Sequence, residues 1–123
     1  MHQQIDKSAF QLNRPQLGEG GTYHLEWQVP DDLTCFEGHF PGRPILPAVS
    51  ILDLAIEIIE TIVGSPIELK TVRSAKFLRV IIPGSRLKIS LSYQGSDWTI
   101  QMKEEERKVA ELNVIIEPEA RTR

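Results

Sequence analysis

The segment between Pro47 and Gly64 limits the possible folds more than any other part of the sequence. Residues 48–63 read AVSILDLAIEIIETIV, and their polar members recur every three to four residues. At about 100° per residue these polar side chains fill a stripe only about 100° wide on a helix. The rest of the circumference is aliphatic, so the fold must enclose this helix on most sides. Gly64 and Pro66 end it.

Alternation of apolar and polar residues, the period of half-buried β-strands, fills most of the remaining chain. It is found in residues 23–29 before the helix, and after it in residues 75–80, 87–93, 98–102 and 110–116. Consecutive strands joined by short turns predict an antiparallel meander. We therefore expect an α+β fold, a single domain in which one long buried helix is wrapped by an antiparallel sheet.

Composition limits the compartment and the partners. A chain of 123 residues with 41% hydrophobic and 25% charged residues suits one globular domain over residues 1–123. The net charge of −3 argues against nucleic-acid binding. A single cysteine, Cys35, excludes an internal disulfide, and no apolar run approaches the roughly 18 residues of a membrane span. We expect a cytoplasmic protein whose residues 1–20, which are polar and show no period, form a flexible arm or a lid.

The loop before the helix is stiff, because three prolines interrupt residues 38–47, GHFPGRPILP. Pro47 is expected at the first helical position, where its missing N–H costs nothing. No side chain that commonly caps a helix precedes it, so the amides near Ala48 and Val49 are left unpaired. Such a helix end suits an anion or a polarised carbonyl oxygen, although water or Ser50 can fill the same role.

Two titratable side chains flank this helix start. His39 lies in the proline-rich loop, and an imidazole can accept or donate a proton near neutral pH. Asp53 lies one and a half turns into the helix. Each can also be interpreted without a catalytic role. A lone histidine is more often structural than catalytic, and Asp53 fits the solvated polar stripe of the helix. Together they make an acid–base pair beside an uncapped helix end.

The loop and the helix together resemble the signature of the β-hydroxyacyl-acyl-carrier-protein dehydratases. That signature reads G-H-F-P-G-x-P-x-x-P-G-V and is followed by an acid fourteen residues after the histidine, the spacing of His39 and Asp53. A second stretch, residues 75–84, is similar to the family's V-K-F strand and P-G-D turn. The resemblance covers about residues 22–117 and implies the hotdog fold, a long helix wrapped by an antiparallel sheet.

The resemblance implies a homodimer, or a multiple of it, with His39 from one chain and Asp53 from the other at each active site. The substrate would be a (3R)-hydroxyacyl thioester on the phosphopantetheine arm of acyl carrier protein, and the products a trans-2-enoyl thioester and water. The amides of Ala48 and Val49 would meet the negative charge that develops on the thioester oxygen. No metal and no organic cofactor is implied. Basic residues expected to dock the acidic carrier protein are Arg43, Lys76, Arg79 and Arg86.

The sequence departs from the family pattern at three positions. Ala48 replaces the usual glycine after the loop, and its methyl group would narrow the acyl channel. Asp53 replaces the glutamate of the broader dehydratase branch, and Glu57 replaces a glutamine. The short chain and its Asp53 resemble the dehydratase-like proteins of aryl-polyene pigment clusters.

Other functions remain open at this point. The hotdog fold also hosts acyl-thioesterases and non-catalytic acyl-carrier-binding proteins, and the carboxylates of Glu37 and Asp53 offer groups that can activate water. Cys35, Glu37 and His39 alternate and could share a metal ion on one strand face, but Pro41 follows and no further ligand cluster is present.

Overall fold

One helix lies on one face of a six-stranded antiparallel sheet in the computed structural model of the chain. The structure describes residues 10–36, 42 and 44–119. The strands and the helix are β1 (Gln16–Leu17), β2 (Tyr23–Gln28), α1 (Ala48–Val63), β3 (Ile67–Phe77), β4 (Arg86–Gln94), β5 (Asp97–Glu104) and β6 (Arg107–Pro118). This arrangement confirms the α+β fold expected from the sequence.

The helix α1 has the bounds that the sequence predicts. Pro47 is not its first helical residue, however. It takes extended angles, φ −68° and ψ 155°, and its carbonyl accepts the amides of Ser50 and Ile51 at 3.0 and 3.1 Å. At the other end Gly64 adopts φ 85° and donates its N–H to the carbonyl of Glu60 at 2.7 Å. This left-handed conformation is the one that glycine reaches without a steric penalty.

The sheet has the strand order β1-β2-β4-β5-β6-β3. The predicted meander is confirmed for β4, β5 and β6, which pair consecutively. It is wrong for β3, which begins at Ile67 rather than near Ala75 and pairs only with β6. The chain therefore passes from β3, at one edge of the sheet, to β4, which pairs with β2.

The core lies between α1 and the inner face of the sheet. Trp27 of β2, Ile58 of α1 and Leu112 of β6 are almost completely buried there. Inward residues alternate with outward ones along β4, β5 and β6, which explains why their period was readable in the sequence. Among the described residues, no helix is long and apolar enough to cross a bilayer.

Residues 10–17 pack against the domain, so a free arm over residues 1–20 is wrong for this part. The backbone carbonyl of Phe10 accepts the indole N–H of Trp27 at 2.6 Å, and the two rings meet edge to face at 6.0 Å. Asn13 donates to the carbonyl of Glu26 at 2.9 Å. The first nine residues of the chain lie outside the described residues.

The edge strand β3 differs from the other long strands because ten of its eleven residues are exposed. Only Ile67, at its start, is buried. Leu69, Val72 and Phe77 are about two-fifths exposed although they are large and apolar. The helix therefore does not cover β3, and neither face of this strand contributes to the core of the single chain beyond Ile67.

Candidate active site

The amino end of α1 presents two unpaired backbone donors. The amides of Ser50 and Ile51 donate to the carbonyl of Pro47. Those of Ala48 and Val49 donate to no acceptor within the described residues. No side chain among the described residues caps this end, as the sequence predicts. Both Ala48 and Val49 are exposed, so an oxygen atom from solvent or from a ligand can reach their N–H groups. The positive end of the helix dipole adds to the attraction for negative charge.

A backbone hydrogen bond fixes the position of this helix end. The amide of Leu46 donates to the carbonyl of Ile81 at 2.8 Å, and both side chains are buried. The connection between β3 and β4 therefore runs beside the entry to α1. The neighbours of Ile81, Val80 and Ile82, are 62% and 48% exposed. With Val49 they place aliphatic surface beside the free amides, which suits a ligand with a hydrocarbon part.

Asp53 lies on the same helix, five residues after Ala48, with its side chain exposed. It makes no hydrogen bond or ion pair with any described residue. At 100° per residue, Asp53 and Glu60 lie within about 20° of each other around the helix, and Glu57 lies about 40° away. Asp53 therefore belongs to the acidic stripe expected from the sequence and is also free to contact a ligand or a second chain.

The second member of the expected pair, His39, lies outside the described residues, as do Glu37 and Arg43. The distance between His39 and Asp53 therefore remains an expectation. Cys35 is a free, partly buried thiol that packs against the core. Within residues 10–36, 42 and 44–119, no group of three or more metal-ligating side chains comes together.

The described basic residues expected to dock a carrier protein do not form one cluster within a single chain. Lys76 is near the end of β3, Arg79 lies just beyond that strand, and Arg86 begins β4. Two strands, β5 and β6, separate β3 from β4, which corresponds to about 14 Å at the usual strand spacing. Arg79 is tied to β6 by its amide, which donates to the carbonyl of Val109 at 3.4 Å.

Cavities elsewhere on the molecule lie away from the free amides. One of about 620 Å³ opens between residues 11–14 and the carboxyl half of α1, where Arg14, Glu57 and Glu60 line it. A smaller one of about 250 Å³ lies beyond the carboxyl end of the helix beside Tyr93 and Trp98, whose rings stack at 4.6 Å. Neither is positioned to share a ligand with the amides at the amino end of α1.

Sequence analysis missed the bond between Leu46 and Ile81 and the exposed length of β3. No sequence pattern predicts a backbone hydrogen bond between the loop before α1 and the connection between β3 and β4. The signal available for the start of β3 was the alternation of Ile67 and Leu69 with Glu68 and Lys70, in a stretch that continues with the β-branched Thr71 and Val72.

Comparison with known proteins supports the resemblance seen in the loop. A protein-family model described as ApeI-like, ApeI dehydratase, matches residues 15–113. This match covers both the strand before the proline-rich loop and the whole of β3, β4 and β5.

Curated relatives share part of the chain. The 3-hydroxyacyl-[acyl-carrier-protein] dehydratase FabZ of Acidiphilium cryptum is 33% identical over 75 residues, which are 51% of this chain and 46% of that protein. The enzyme of the same name from Latilactobacillus sakei is 38% identical over 66 residues, 48% of this chain and 47% of that protein. The chain thus spans about half the length of the curated relatives it matches.

A solved structure confirms the hotdog fold. The dehydratase heterocomplex ApeI:P from Xenorhabdus doucetiae contains a chain that superposes with a TM-score of 0.75 at 17% identity. The superposition covers 84% of this chain and 93% of that one.

Proposed function

Because the chain belongs to the ApeI-like dehydratase family, we propose that it dehydrates (3R)-hydroxyacyl thioesters carried on acyl carrier protein. The products are a trans-2-enoyl thioester, still on the carrier, and water. The reaction serves fatty-acid or polyene-type biosynthesis in the cytoplasm. The observation that supports this most directly is the pair of exposed amides at Ala48 and Val49, which no described residue accepts, beside an exposed Asp53.

The chemistry needs a base, an acid and a site for negative charge. His39 removes the α-proton of the substrate, and the electron pair of that C–H bond moves toward the thioester carbonyl, whose oxygen gains negative charge. The amides of Ala48 and Val49 donate to this oxygen. As the electrons return to form the C=C bond, the C–O bond to the 3-hydroxyl breaks. Asp53 donates a proton to the departing oxygen, directly or through a water molecule, and water leaves.

The proposed site combines two chains, with His39 from one and Asp53 from the other. The exposure of Asp53 supports this, because a carboxylate with no partner among the described residues of its own chain is available to a second one. The uncovered β3 supports it as well, since a single chain leaves large apolar side chains in water there. We expect a homodimer or a multiple of it.

Docking of the carrier protein requires local positive charge, because the chain itself carries a net charge of −3. Arg43, Lys76, Arg79 and Arg86 are the proposed contacts. In a dimer, a basic residue near the end of β3 in one chain can lie close to basic residues of the other chain. Residues that are far apart within one chain can therefore belong to the same docking surface.

The function is tested by incubating the protein with 3-hydroxyacyl-carrier-protein substrates of several chain types and following the enoyl product. We expect the enoyl thioester to form while the thioester bond stays intact. Release of a free thiol without an enoyl product would instead identify a thioesterase. Binding of the acyl carrier without any turnover would identify a non-catalytic binding protein.

The roles of the two side chains are tested in the same assay. His39→Ala and Asp53→Asn should each lower turnover by about 10²-fold or more while the protein stays folded by circular dichroism. Mixing the two inactive variants should restore a fraction of the activity, because one site in each mixed dimer regains both groups. Wild-type dehydration by His39→Ala would overturn the mechanism, and Asp53→Asn with full activity would leave Asp53 as a solvated surface residue.

A further inference from the structure

Two polar residues are buried in the part of the chain that the structure describes, Ser50 in α1 and Ser85 just before β4. Ser50 is 7% exposed and Ser85 is 5% exposed. The hydroxyl oxygen of Ser85 accepts the amide of Ile82 at 3.4 Å. The hydroxyl of Ser50 makes no hydrogen bond with any described residue. The fold therefore satisfies one of the two buried serines and not the other.

The unpaired hydroxyl of Ser50 destabilises the folded chain. Burial removes the water that would otherwise bond to it, and a buried polar group without a partner costs free energy. Alanine at this position would avoid that cost and has a higher helix propensity than serine. Because nearly all buried polar groups in proteins are paired, this hydroxyl calls for a partner from outside the described chain, such as a ligand.

The position of Ser50 in the helix explains why its hydroxyl has no local partner. Ser50 is the third residue of α1, after Ala48 and Val49. At this position a polar side chain can reach back to the backbone N–H of the N-cap residue. The N-cap here is Pro47, whose ring nitrogen carries no hydrogen. The backbone donor that this position ordinarily meets is therefore missing.

The side chain of Ser50 is directed toward the amino end of the helix. The Cα–Cβ bonds of an α-helix tilt toward its N-terminus, so each side chain covers the turn before its own Cα. For Ser50 that turn contains Ala48 and Val49, whose amides donate to no described residue. The unpaired hydroxyl and the two unpaired amides therefore lie at the same end of the helix.

Asp53 is the next polar neighbour of Ser50 on the helix surface. Residues three apart lie about 60° from each other around the axis and about 4.5 Å apart along it. The side chain of Asp53 also tilts toward the N-terminus, over the turn that holds Ser50. No hydrogen bond joins the two side chains, so a third group can contact both.

We propose that the hydroxyl of Ser50 binds the 3-hydroxyl group of the substrate, beside Asp53. This inference rests on the dehydration proposed above and adds a residue that recognises the leaving group. The amides of Ala48 and Val49 can only donate hydrogen bonds, and protonated Asp53 uses its O–H to donate to the departing oxygen. The hydroxyl of Ser50 has lone pairs that accept the hydrogen of the 3-hydroxyl.

This contact orients the departing oxygen. While Ser50 holds the hydrogen of the 3-hydroxyl, a lone pair of the same oxygen is left to receive the proton of Asp53. When the C–O bond breaks, its electron pair stays with the oxygen, which leaves as water with its original hydrogen and the proton from Asp53. Ser50 neither gains nor loses a proton. The enoyl product has no hydroxyl, so the contact favours binding of the substrate over the product.

The contact is tested with two carrier-bound ligands that differ by one oxygen atom. Ser50→Ala should lower kcat/KM for the 3-hydroxyacyl-carrier substrate by about 10-fold or more, because a hydrogen bond to the substrate is lost. The inhibition constant of the saturated acyl carrier of the same chain length, which lacks the 3-hydroxyl, should change by less than about twofold. Ser85→Ala, at the other buried serine, is the control and should leave the ratio of the two constants unchanged. Equal changes of both constants in Ser50→Ala would overturn the contact.

The stability of the same variants gives an independent test. Ser50→Ala should unfold at the same urea concentration as the wild type or at a higher one, because it removes an unpaired buried hydroxyl. Ser85→Ala should unfold at a lower urea concentration, because it removes the acceptor of the Ile82 amide. A loss of stability in Ser50→Ala as large as that in Ser85→Ala would show that the hydroxyl has a partner in the fold, and would overturn the inference.

Failure of this inference and failure of the proposed function give different results. Enoyl product formed by Ser50→Ala with the wild-type kcat/KM would keep the dehydration and remove Ser50 from it. If the wild type forms no enoyl product, the dissociation constants of the 3-hydroxyacyl and saturated acyl carriers replace turnover as the measurement. Tighter binding of the 3-hydroxyacyl carrier that is lost in Ser50→Ala would then keep the Ser50 contact and overturn the dehydration. Equal dissociation constants of the two carriers would overturn the Ser50 contact.

Discussion

The amide of Leu46 and the carbonyl of Ile81 form a 2.8 Å hydrogen bond that joins the entry of α1 to the connection between β3 and β4. The Ile81 side chain is completely buried. The amino end of the helix is therefore held by the core and not only by its own loop. A donor pair that is fixed before the reaction stabilises developing charge without reorganising, which is the basis of oxyanion stabilisation in enzymes.

Truncation of Ile81 should lower the free energy of unfolding substantially. Ile81→Ala leaves a cavity at a fully buried position, and we expect a loss of about 2–5 kcal/mol in urea unfolding. The neighbouring Ile82→Ala is the control, because that side chain is 48% exposed, and its loss should stay below about 1 kcal/mol. Equal losses at the two positions would show that Ile81 does not anchor the helix entry.

Removal of one free amide tests its part in catalysis. Pro47 has ψ 155°, a conformation that tolerates a following proline, and the first helical turn accepts one, so Ala48→Pro should fold. This variant lacks the N–H of residue 48, and we expect kcat to fall by about 10²-fold. Ala48→Ser keeps the N–H and serves as the control. Wild-type kcat in a folded Ala48→Pro protein would remove this amide from the mechanism.

The end of the helix should depend on glycine at position 64. Its φ of 85° is left-handed, and a Cβ there costs about 1–2 kcal/mol. Gly64→Ala should lower the free energy of unfolding by that amount, measured by chemical denaturation. Gly64→Asn should lose less, since asparagine tolerates this conformation better. A Gly64→Ala protein as stable as the wild type would mean that the helix end relaxes to another conformation.

Carrier docking should depend on charge and on salt. Reversal of Arg79 or Arg86 to glutamate should raise KM for carrier-bound substrate, and the difference should shrink as salt screens charges beyond about 8 Å. Turnover of a small thioester analogue should barely change, because it makes no contact with a carrier surface. Equal losses on both substrates would place these arginines in the fold or the catalytic cavity.

The helix could be located from the sequence at both ends because local chemistry marks them. Pro47 cannot continue a helix backwards, and Gly64 supplies the left-handed end. The strands β4, β5 and β6 could be found because each has one face in the core and one in water. Their residues therefore carry the period of two.

The strand β3 could not be found over most of its length, for a physical reason. Beyond Ile67 neither of its faces is buried in the single chain, and the alternation of apolar and polar residues at its two ends, residues 67–70 and 75–77, does not continue through its middle. The bulges at Lys70 and Arg73 shift what alternation remains. Its pairing with β6, thirty or more residues later in the chain, left no local signal either.

The candidate site was readable only in part. The spacing of His39 and Asp53 and the uncapped helix start are properties of the sequence, and the structure confirms the uncapped start. If His39 and Asp53 come from different chains, as proposed, the distance between their side chains depends on how the two chains assemble. Sequence patterns indicate the local structure of one chain. They do not indicate which residues of a second copy lie next to it.

In an isolated subunit, the exposed edge strand β3 would promote aggregation. Eleven residues of strand, with Leu69, Val72 and Phe77 uncovered, offer a template to which other extended chains can add. A second copy that covers this edge in the proposed homodimer would then also protect the protein from aggregation. Variants in which the proposed homodimer dissociates should accordingly precipitate in concentrated solution while each chain is still folded.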